Sequence, residues 1–177
     1  MLFDFKYKIS NSVDGVFEIL PNSFKDLRGE IWTSFHKNTI KTVFNINAEF
    51  IHDKFVSNKE GVLRGLHGDF STYKLVSCPV GEVFQVALDM RTDSITYGKY
   101  HTLLLNEENK KSLLLPPGVV NGFLVLSKFS LYSYKLAYTG NYKDFDEQFT
   151  VMYNDIRFNI PWPTKKIIVS ERDDPSK

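Results

Sequence analysis

Apolar and polar residues alternate along Phe3-Asp4-Phe5-Lys6-Tyr7-Lys8-Ile9, the period of two that turns one face of a strand toward a core and the other toward water. Short β-branched and aromatic runs recur between turn signals along most of the chain, and no long segment keeps the 3.6-residue period of a helix. The pattern predicts strands over residues 15–20, 30–35, 42–46, 61–66, 73–79, 82–89, 97–105, 112–115, 122–126 and 129–137. Turn chemistry separates them at Pro21-Asn22, Leu27-Arg28-Gly29, Pro79-Val80-Gly81, Pro116-Pro117-Gly118 and Thr139-Gly140-Asn141. Brief peripheral helices are expected at 23–26, 48–50 and 144–149, and residues 173–177 read as a polar tail.

About ten short strands joined by tight turns imply an all-β fold, and a double-sheet jelly roll answers the exposed-edge problem of such a chain. A lipocalin-like barrel is the structural alternative. With 177 residues and no linker or repeat, the chain is expected to be a single domain over 1–177. Its 15 Phe, 9 Tyr and 2 Trp reinforce the sheet reading, because aromatic side chains fit pleated surfaces. A net charge of +1, from 22 basic and 21 acidic residues, gives no electrostatic footprint for nucleic acid or an acidic membrane. No apolar stretch approaches the roughly 20 residues of a membrane span. Cys78 has no cysteine to pair with, and Met1-Leu2-Phe3-Asp4-Phe5-Lys6 lacks the pattern of a secretory leader, so a cytoplasmic protein is expected.

Candidate chemistry centres on Gly61-Val62-Leu63-Arg64-Gly65-Leu66-His67. Arg64 and His67 are three apart, so an ideal strand points them to opposite faces, and only a bend at Gly65 lets both line one cavity. This segment, followed by Lys74, resembles the signature of the dTDP-4-keto-6-deoxyglucose 3,5-epimerase family, whose members are double-stranded β-helix jelly rolls of the cupin type. Further matches run along nearly the whole chain. Phe24-Lys25-Asp26-Leu27-Arg28-Gly29 resembles the family's F-x-D-x-R-G, and Gly81-Glu82-Val83-Phe84-Gln85-Val86-Ala87-Leu88-Asp89-Met90-Arg91 its G-E-V-F-D-V-A-V-D-I-R. Leu115-Pro116-Pro117-Gly118-Val119-Val120-Asn121-Gly122-Phe123 corresponds to I-P-x-G-F-A-H-G-F, Tyr134-Lys135 to a Tyr-Lys pair, Asn154-Asp155 to N-D-P, and Ser170-Glu171-Arg172-Asp173 to S-x-K-D.

The resemblance implies a metal-independent and cofactor-free isomerase that inverts carbons beside the C-4 ketone of a nucleotide-diphospho-4-keto-6-deoxy sugar, at carbons 3 and 5 or at carbon 3 alone. Such a carbon gives up its proton only beside a carbonyl, so the site needs a base, an enolate stabiliser and an acid on the other ring face. By the resemblance His67 is the base and Asp173 its orienting carboxylate, Lys74 faces the ketone oxygen, and Tyr134 is the acid. Arg28 and Arg64 suit the diphosphate, because a guanidinium pairs phosphate oxygens through two donors; Glu30, Lys54, His52 and Asn121 complete the expected substrate contacts. A homodimer with strand exchange near the N-terminus is implied too.

Departures from the family pattern fall on recognition groups. The family's Q-D-N-x-S-x-S becomes His52-Asp53-Lys54-Phe55-Val56-Ser57-Asn58, its second tyrosine six residues beyond Tyr134 becomes Gly140, with Tyr138 or Tyr142 as candidate substitutes, its His becomes Asn121, and its first central Asp becomes Gln85. This combination resembles the capsule-polysaccharide branch acting on GDP-linked 4-keto-6-deoxy-heptoses. Three other readings compete. A metal cupin needs more ligands than His67 with Asp69 and Asn121 supplies. A keto-sugar isomerase shares the first proton abstraction. A carbohydrate-binding jelly roll would need none of the four reactive groups.

Overall fold

The computed structural model describes residues 5–46, 48–174 and 176; Phe3 and Asp4 of the alternating N-terminal segment lie outside them. The strands are β1 (Phe5–Ile9), β2 (Phe17–Pro21), β3 (Ser23–Asp26), β4 (Gly29–Trp32), β5 (Phe50–Lys59), β6 (Leu63–Gly68), β7 (Tyr73–Val80), β8 (Glu82–Asp89), β9 (Tyr100–Asn106), β10 (Ser112–Leu115), β11 (Val119–Val125), β12 (Phe129–Ala137) and β13 (Phe149–Thr150). Among the described residues one α-helix, α1 (Lys37–Phe44), and one 3-10 turn, Glu171–Asp173, accompany them. A six-stranded sheet in the order β1-β2-β10-β7-β12-β5 packs on a five-stranded sheet in the order β13-β6-β11-β8-β9, with β3–β4 as a separate hairpin. The fold is an all-β jelly roll.

Period-two alternation decides what lies between the sheets. Val76, Leu113, Leu115 and Tyr132 from the first sheet meet Val83, Ala87, Leu105, Phe123 and Val125 from the second. Phe123 stacks on Tyr132 with ring centroids 4.0 Å apart, an aromatic pair worth about 1 kcal/mol beyond the area it buries. Both outer faces are covered as well. Ile40 of α1 packs on Ile19, Leu75 and Leu114, while Tyr153, Phe158, Ile160 and Trp162 lie over Leu66, Val86, Leu88 and Val120. Covering both faces accounts for β11, in which every residue is buried.

Several elements differ from the sequence pattern. Residues 42–46 are the end of α1 and its cap, with Asn45 left-handed at φ 51°, rather than a strand. Residues 23–26 form β3 and not a helix, because the tight turn from Asp26 to Gly29 pairs them with β4. Neither 48–50 nor 144–149 is helical. Strand β5 is absent from the expectation because its polarity is inverted, with Ile51 and Phe55 both 61% exposed. The polar-tail reading of 173–177 fails at Asp173, which is 2% exposed, with Ile168 bridging Val62 shortly before it; Pro175 and Lys177 lie outside the described residues.

The bend at Gly65 is present. The β6–β11 register shifts between Asn121 and Phe123, so that Asn121 pairs His67 while Phe123 pairs Arg64. Three residues on β6 thus span two on β11, and Arg64 and His67 come to one cavity. Gly65 has φ +116°, and a Cβ there would lie 2.5 Å from Gly122 Cα and 2.7 Å from the Asn121 carbonyl oxygen. The strands approach this closely only because both positions are glycine. Gly65→Ala is therefore expected to lower stability by about 2 kcal/mol or more in urea unfolding; an unchanged midpoint would show that the strands separate at no cost.

Candidate active site

At one end of the sandwich the inward positions change from apolar to polar. From the six-stranded sheet come Lys54 and Val56 of β5, Lys74 of β7, and Tyr134 and Leu136 of β12; from the five-stranded sheet come Arg64 and His67 of β6 and Asn121 of β11. Strand register places Tyr134 opposite Lys54 and Lys74 opposite Leu136. Together they line a cavity of about 270 Å³, closed at the side by Tyr142, Asp144, Phe145 and Gln148 of the loop after β12 and by Arg172 and Asp173 of the 3-10 turn.

His67 and Asp173 are the tightest contact in it. Nε2 of His67 lies 2.5 Å from Oδ1 of Asp173, whose Oδ2 accepts the Gly65 backbone N–H at 3.2 Å. Burial pushes the Asp173 carboxyl up, but the hydrogen bond and charge of His67, the Gly65 amide and Arg172 outweigh it and hold the group below the ordinary carboxylate value. An ionised Asp173 only accepts, so Nε2 carries the proton and Nδ1 keeps the lone pair. Arg172, which stands where the family pattern has Lys, steadies the turn by donating from Nε to Thr150 Oγ1 at 3.0 Å and from a terminal nitrogen to the Gln148 carbonyl at 3.0 Å.

Lys74 is 5% exposed and donates from Nζ to the His67 carbonyl at 3.0 Å and to Asn121 Oδ1 at 2.9 Å. Burial lowers its pKa to about 8; Asp69 works against that shift, and Arg172 and Lys54 with it. Tyr134 moves the other way. Burial raises its phenol well above the usual tyrosine value, opposed by Arg64 and reinforced by Tyr142 and Asp173, so it stays a neutral donor. Arg64 is held by its Nε–H donating to Asn58 Oδ1 at 2.8 Å.

The remaining sequence candidates lie elsewhere. Arg28 and Glu30 do not line this cavity. They sit on the β3–β4 hairpin, where Arg28 pairs with Asp26 at 2.6 Å and Glu30 with Lys110 at 3.0 Å. His52 shares a strand face with Lys54 but lies at the rim: its ring stands 5.0 Å from Tyr142 and its Nδ1 is 3.3 Å from the Tyr138 hydroxyl. Asp144 and Arg172 were not singled out as contacts by the sequence pattern, whereas Tyr142 was one of two candidates, with Tyr138, for the place of the second tyrosine. The empty place of the family's second tyrosine was the signal for Tyr142, which comes from the same loop as Gly140. Among the described residues no three His, Cys, Asp or Glu side chains come together as metal ligands, and no helix is long and apolar enough to cross a membrane.

The chain is similar to proteins of known family. Residues 10–177 match the family described as dTDP-4-dehydrorhamnose 3,5-epimerase. The chain is 35% identical to the dTDP-4-dehydrorhamnose 3,5-epimerase of Escherichia coli K12 over 170 residues, 94% of this chain and 90% of that protein. Among solved structures, the dTDP-6-deoxy-D-glucose-3,5-epimerase of Legionella pneumophila in complex with dTDP-4-keto-L-rhamnose superposes with a TM-score of 0.90 at 33% identity, over 96% of this chain and 90% of that one. The Bacillus anthracis enzyme with TDP and pyrophosphate bound has a TM-score of 0.88 at 29% identity, over 96% and 97%.

Because the folded pKa of Asp173 lies below its unfolded value, its pairing stabilises the protein above the ordinary carboxylate range, and that contribution is lost as pH falls through the depressed value. Asp173→Asn is expected to flatten this acid loss in thermal melts between about pH 5 and pH 2. The amide also donates to Nε2, moving the ring proton to Nδ1, a tautomer change visible in the ¹⁵N spectrum of His67. A variant with wild-type acid sensitivity and an unchanged tautomer would separate Asp173 from His67.

Proposed function

The chain belongs to the dTDP-4-dehydrorhamnose 3,5-epimerase family and is a carbohydrate epimerase acting on a nucleotide-linked sugar; from that premise we propose the roles of its residues, its substrate and its assembly. The observation that carries the mechanism is that His67 and Tyr134 stand on opposite sheets of one cavity with Lys74 between the same walls. Nδ1 of His67 takes the proton from the carbon beside the ketone, and Asp173 stabilises the imidazolium that forms. The electron pair moves to the ketone oxygen, where the Lys74 ammonium meets the developing charge. Tyr134 then gives its hydroxyl proton to the same carbon from the other face, the ketone re-forms, and the centre is inverted. Arg64 holds the diphosphate.

The substrate we propose is a GDP-linked 4-keto-6-deoxy-heptose for capsular polysaccharide. Support for guanine comes from the cavity mouth. Lys54 Nζ lies 3.6 Å from Asp144 Oδ1 and 5.3 Å above the Tyr142 ring. An ammonium beside a carboxylate complements the guanine edge, which offers a carbonyl oxygen beside two N–H donors, whereas thymine offers a single donor between two carbonyls. Tyr142 supplies an aromatic face for the base. The heptose rests on the resemblance alone.

A homodimer is the assembly we propose. Leu27 at the tip of the β3–β4 hairpin is fully exposed, and Phe24 and Ile31 are more than half exposed. Such a tip is the shape of an exchanged element. Exchange would carry Arg28 and Glu30 to the cavity of a second copy. Sedimentation should show a dimer at micromolar concentration that Leu27→Asp weakens; a wild-type monomer would remove both residues from the site.

Deuterium uptake from heavy water tests the chemistry, with GDP- and dTDP-linked 4-keto sugars offered side by side. Wild-type protein is expected to exchange and invert carbons 3 and 5, with the GDP sugar preferred and that preference reduced in Asp144→Asn. His67→Asn should abolish exchange, while Tyr134→Phe should exchange without inverting, since His67 can return the proton only to the original face. Equal use of both nucleotides would overturn guanine. Migration of the ketone to carbon 3 would make the protein an isomerase, and binding without exchange a carbohydrate-binding module.

A further inference from the structure

Between Ala137 and Phe149 the chain has neither helix nor strand among the described residues. A single turn gives this loop its local shape, the Asp144 carbonyl accepting the Glu147 amide at 2.9 Å and the Gln148 amide at 3.2 Å, with Gln148 Nε2 donating to the Lys143 carbonyl at 3.0 Å. The same loop is the side wall of the cavity, through Tyr142, Asp144, Phe145 and Gln148. One turn cannot fix where a wall stands relative to the strands; that is set by what the wall touches. On one side it meets β5, where Lys54 lies 3.6 Å from Asp144 and His52 packs on Tyr142. On the other it meets Arg172 of the 3-10 turn.

The Arg172 guanidinium uses three of its parts at once. Its Nε–H donates to Thr150 Oγ1 at 3.0 Å, a terminal nitrogen donates to the Gln148 carbonyl at 3.0 Å, and its central carbon lies 4.5 Å from the centroid of the Phe145 ring. Phe145 and Gln148 belong to the wall. Thr150 belongs to β13, where it stands opposite His67 in the ladder with β6. The residue after Arg172 is Asp173, whose carboxylate holds the His67 ring. One side chain therefore ties the wall both to the residue paired with His67 and to the turn that carries its carboxylate.

We propose that Arg172 is a positioning residue that locks the 142–148 wall to the Asp173–His67 pair, so that a nucleotide sugar resting on the wall presents its carbon in one fixed pose to His67 and Tyr134. This inference rests on the epimerase reading and gives the arginine no contact with the reacting atoms. Inversion is the step that needs the lock. Proton exchange asks only that the carbon reach His67, whereas inversion asks that the same carbon also lie under the Tyr134 hydroxyl on its other face. A lysine at 172 would bring a point charge without the planar fork or the face that stacks on Phe145. The departure from the family's Lys goes with the departure at Gly140: the second tyrosine is missing there, Tyr142 offers its ring from farther along the loop, and the loop is fastened by an arginine.

Two mild variants separate the lock from the charge. Arg172→Lys keeps the cation beside Asp173 and loses the fork and the face; Thr150→Val keeps the arginine and loses one acceptor at similar volume. Each is compared with wild-type protein at initial rates in heavy water, with saturating GDP- or dTDP-linked 4-keto sugar, scoring deuterium in inverted product against deuterium returned in the original configuration. The share returned without inversion is expected to rise about tenfold in Arg172→Lys and about threefold in Thr150→Val. Without substrate, the backbone amides of residues 142–148 should exchange faster in both variants than in the wild type. A purely structural arginine would lower exchange and inversion together, so a wild-type share in both folded variants would overturn the proposal, as would wall amides that exchange at the wild-type rate. Wild-type protein that exchanges no proton of either sugar would instead overturn the epimerase reading, while quickened wall amides in Arg172→Lys would still show that the arginine fastens the wall.

Discussion

Everything in the cavity depends on one buried contact between residues 106 positions apart, the Asp173 carboxylate against the His67 imidazole. A carboxylate at 2% exposure cannot remain ionised without a partner, and removing one side of such a pair costs about 3–5 kcal/mol. The pair therefore works in both directions: it orients the imidazole, and it ties down the end of the chain. Supporting bonds follow the same route. Ile168 joins the start of β6 through paired backbone hydrogen bonds with Leu63 and Gly61, and Arg172 reaches back to β13. The glycine at 65 belongs to this construction, because its free amide serves the carboxylate and its missing side chain lets β11 approach.

How much of this is legible from the residues alone depends on which rule each element obeys. The bounds of β8, β10 and β12 match the pattern because one or both faces are buried in apolar neighbours and the turn residues are unambiguous. Strand β5 breaks the pattern for a functional reason. Its inward positions near the cavity are His52, Lys54, Val56 and Asn58, and its apolar Ile51 and Phe55 face out, so a search for an apolar inner face finds a mostly polar one. Helix α1 was hidden by Thr42-Val43-Phe44, whose strand preference yields to the burial of Ile40 against the sheet. Likewise β3 is an exposed hairpin arm, in which the turn dominates over weak local preference.

The cavity shows the same division. His67, Lys74, Tyr134, Arg64, Lys54, Asn121 and Asp173 are in it, and five of the seven belong to strands whose alternation or local motif is visible in the sequence, Lys54 lying on the unforeseen β5. Asp173 is visible only through its resemblance to a short terminal motif, since no periodicity connects position 173 to position 67. Arg28 and Glu30 follow the motif too, but the fold of one chain carries them away on the hairpin. Tyr142 and Asp144 come from a loop without regular structure, where a side chain's direction is set by what it meets rather than by parity.

The two kinds of wall explain why chemistry and recognition diverge in this chain. Reactive groups project from paired strands, where register fixes each Cα against its neighbours: Tyr134 is opposite Lys54, and His67 opposite Asn121. A substitution there disturbs partners on both sides. Rim groups project from the loop after β12 and from the hairpin, where exchange of one side chain leaves the sandwich untouched. Asp144 is 70% exposed at its side chain and Arg28 is 88% exposed, so each is free to change with the nucleotide while the interior stays constant. On the proposed roles, a change of nucleotide preference falls on the rim at little cost in stability and leaves the proposed base, acid and enolate-facing lysine in place.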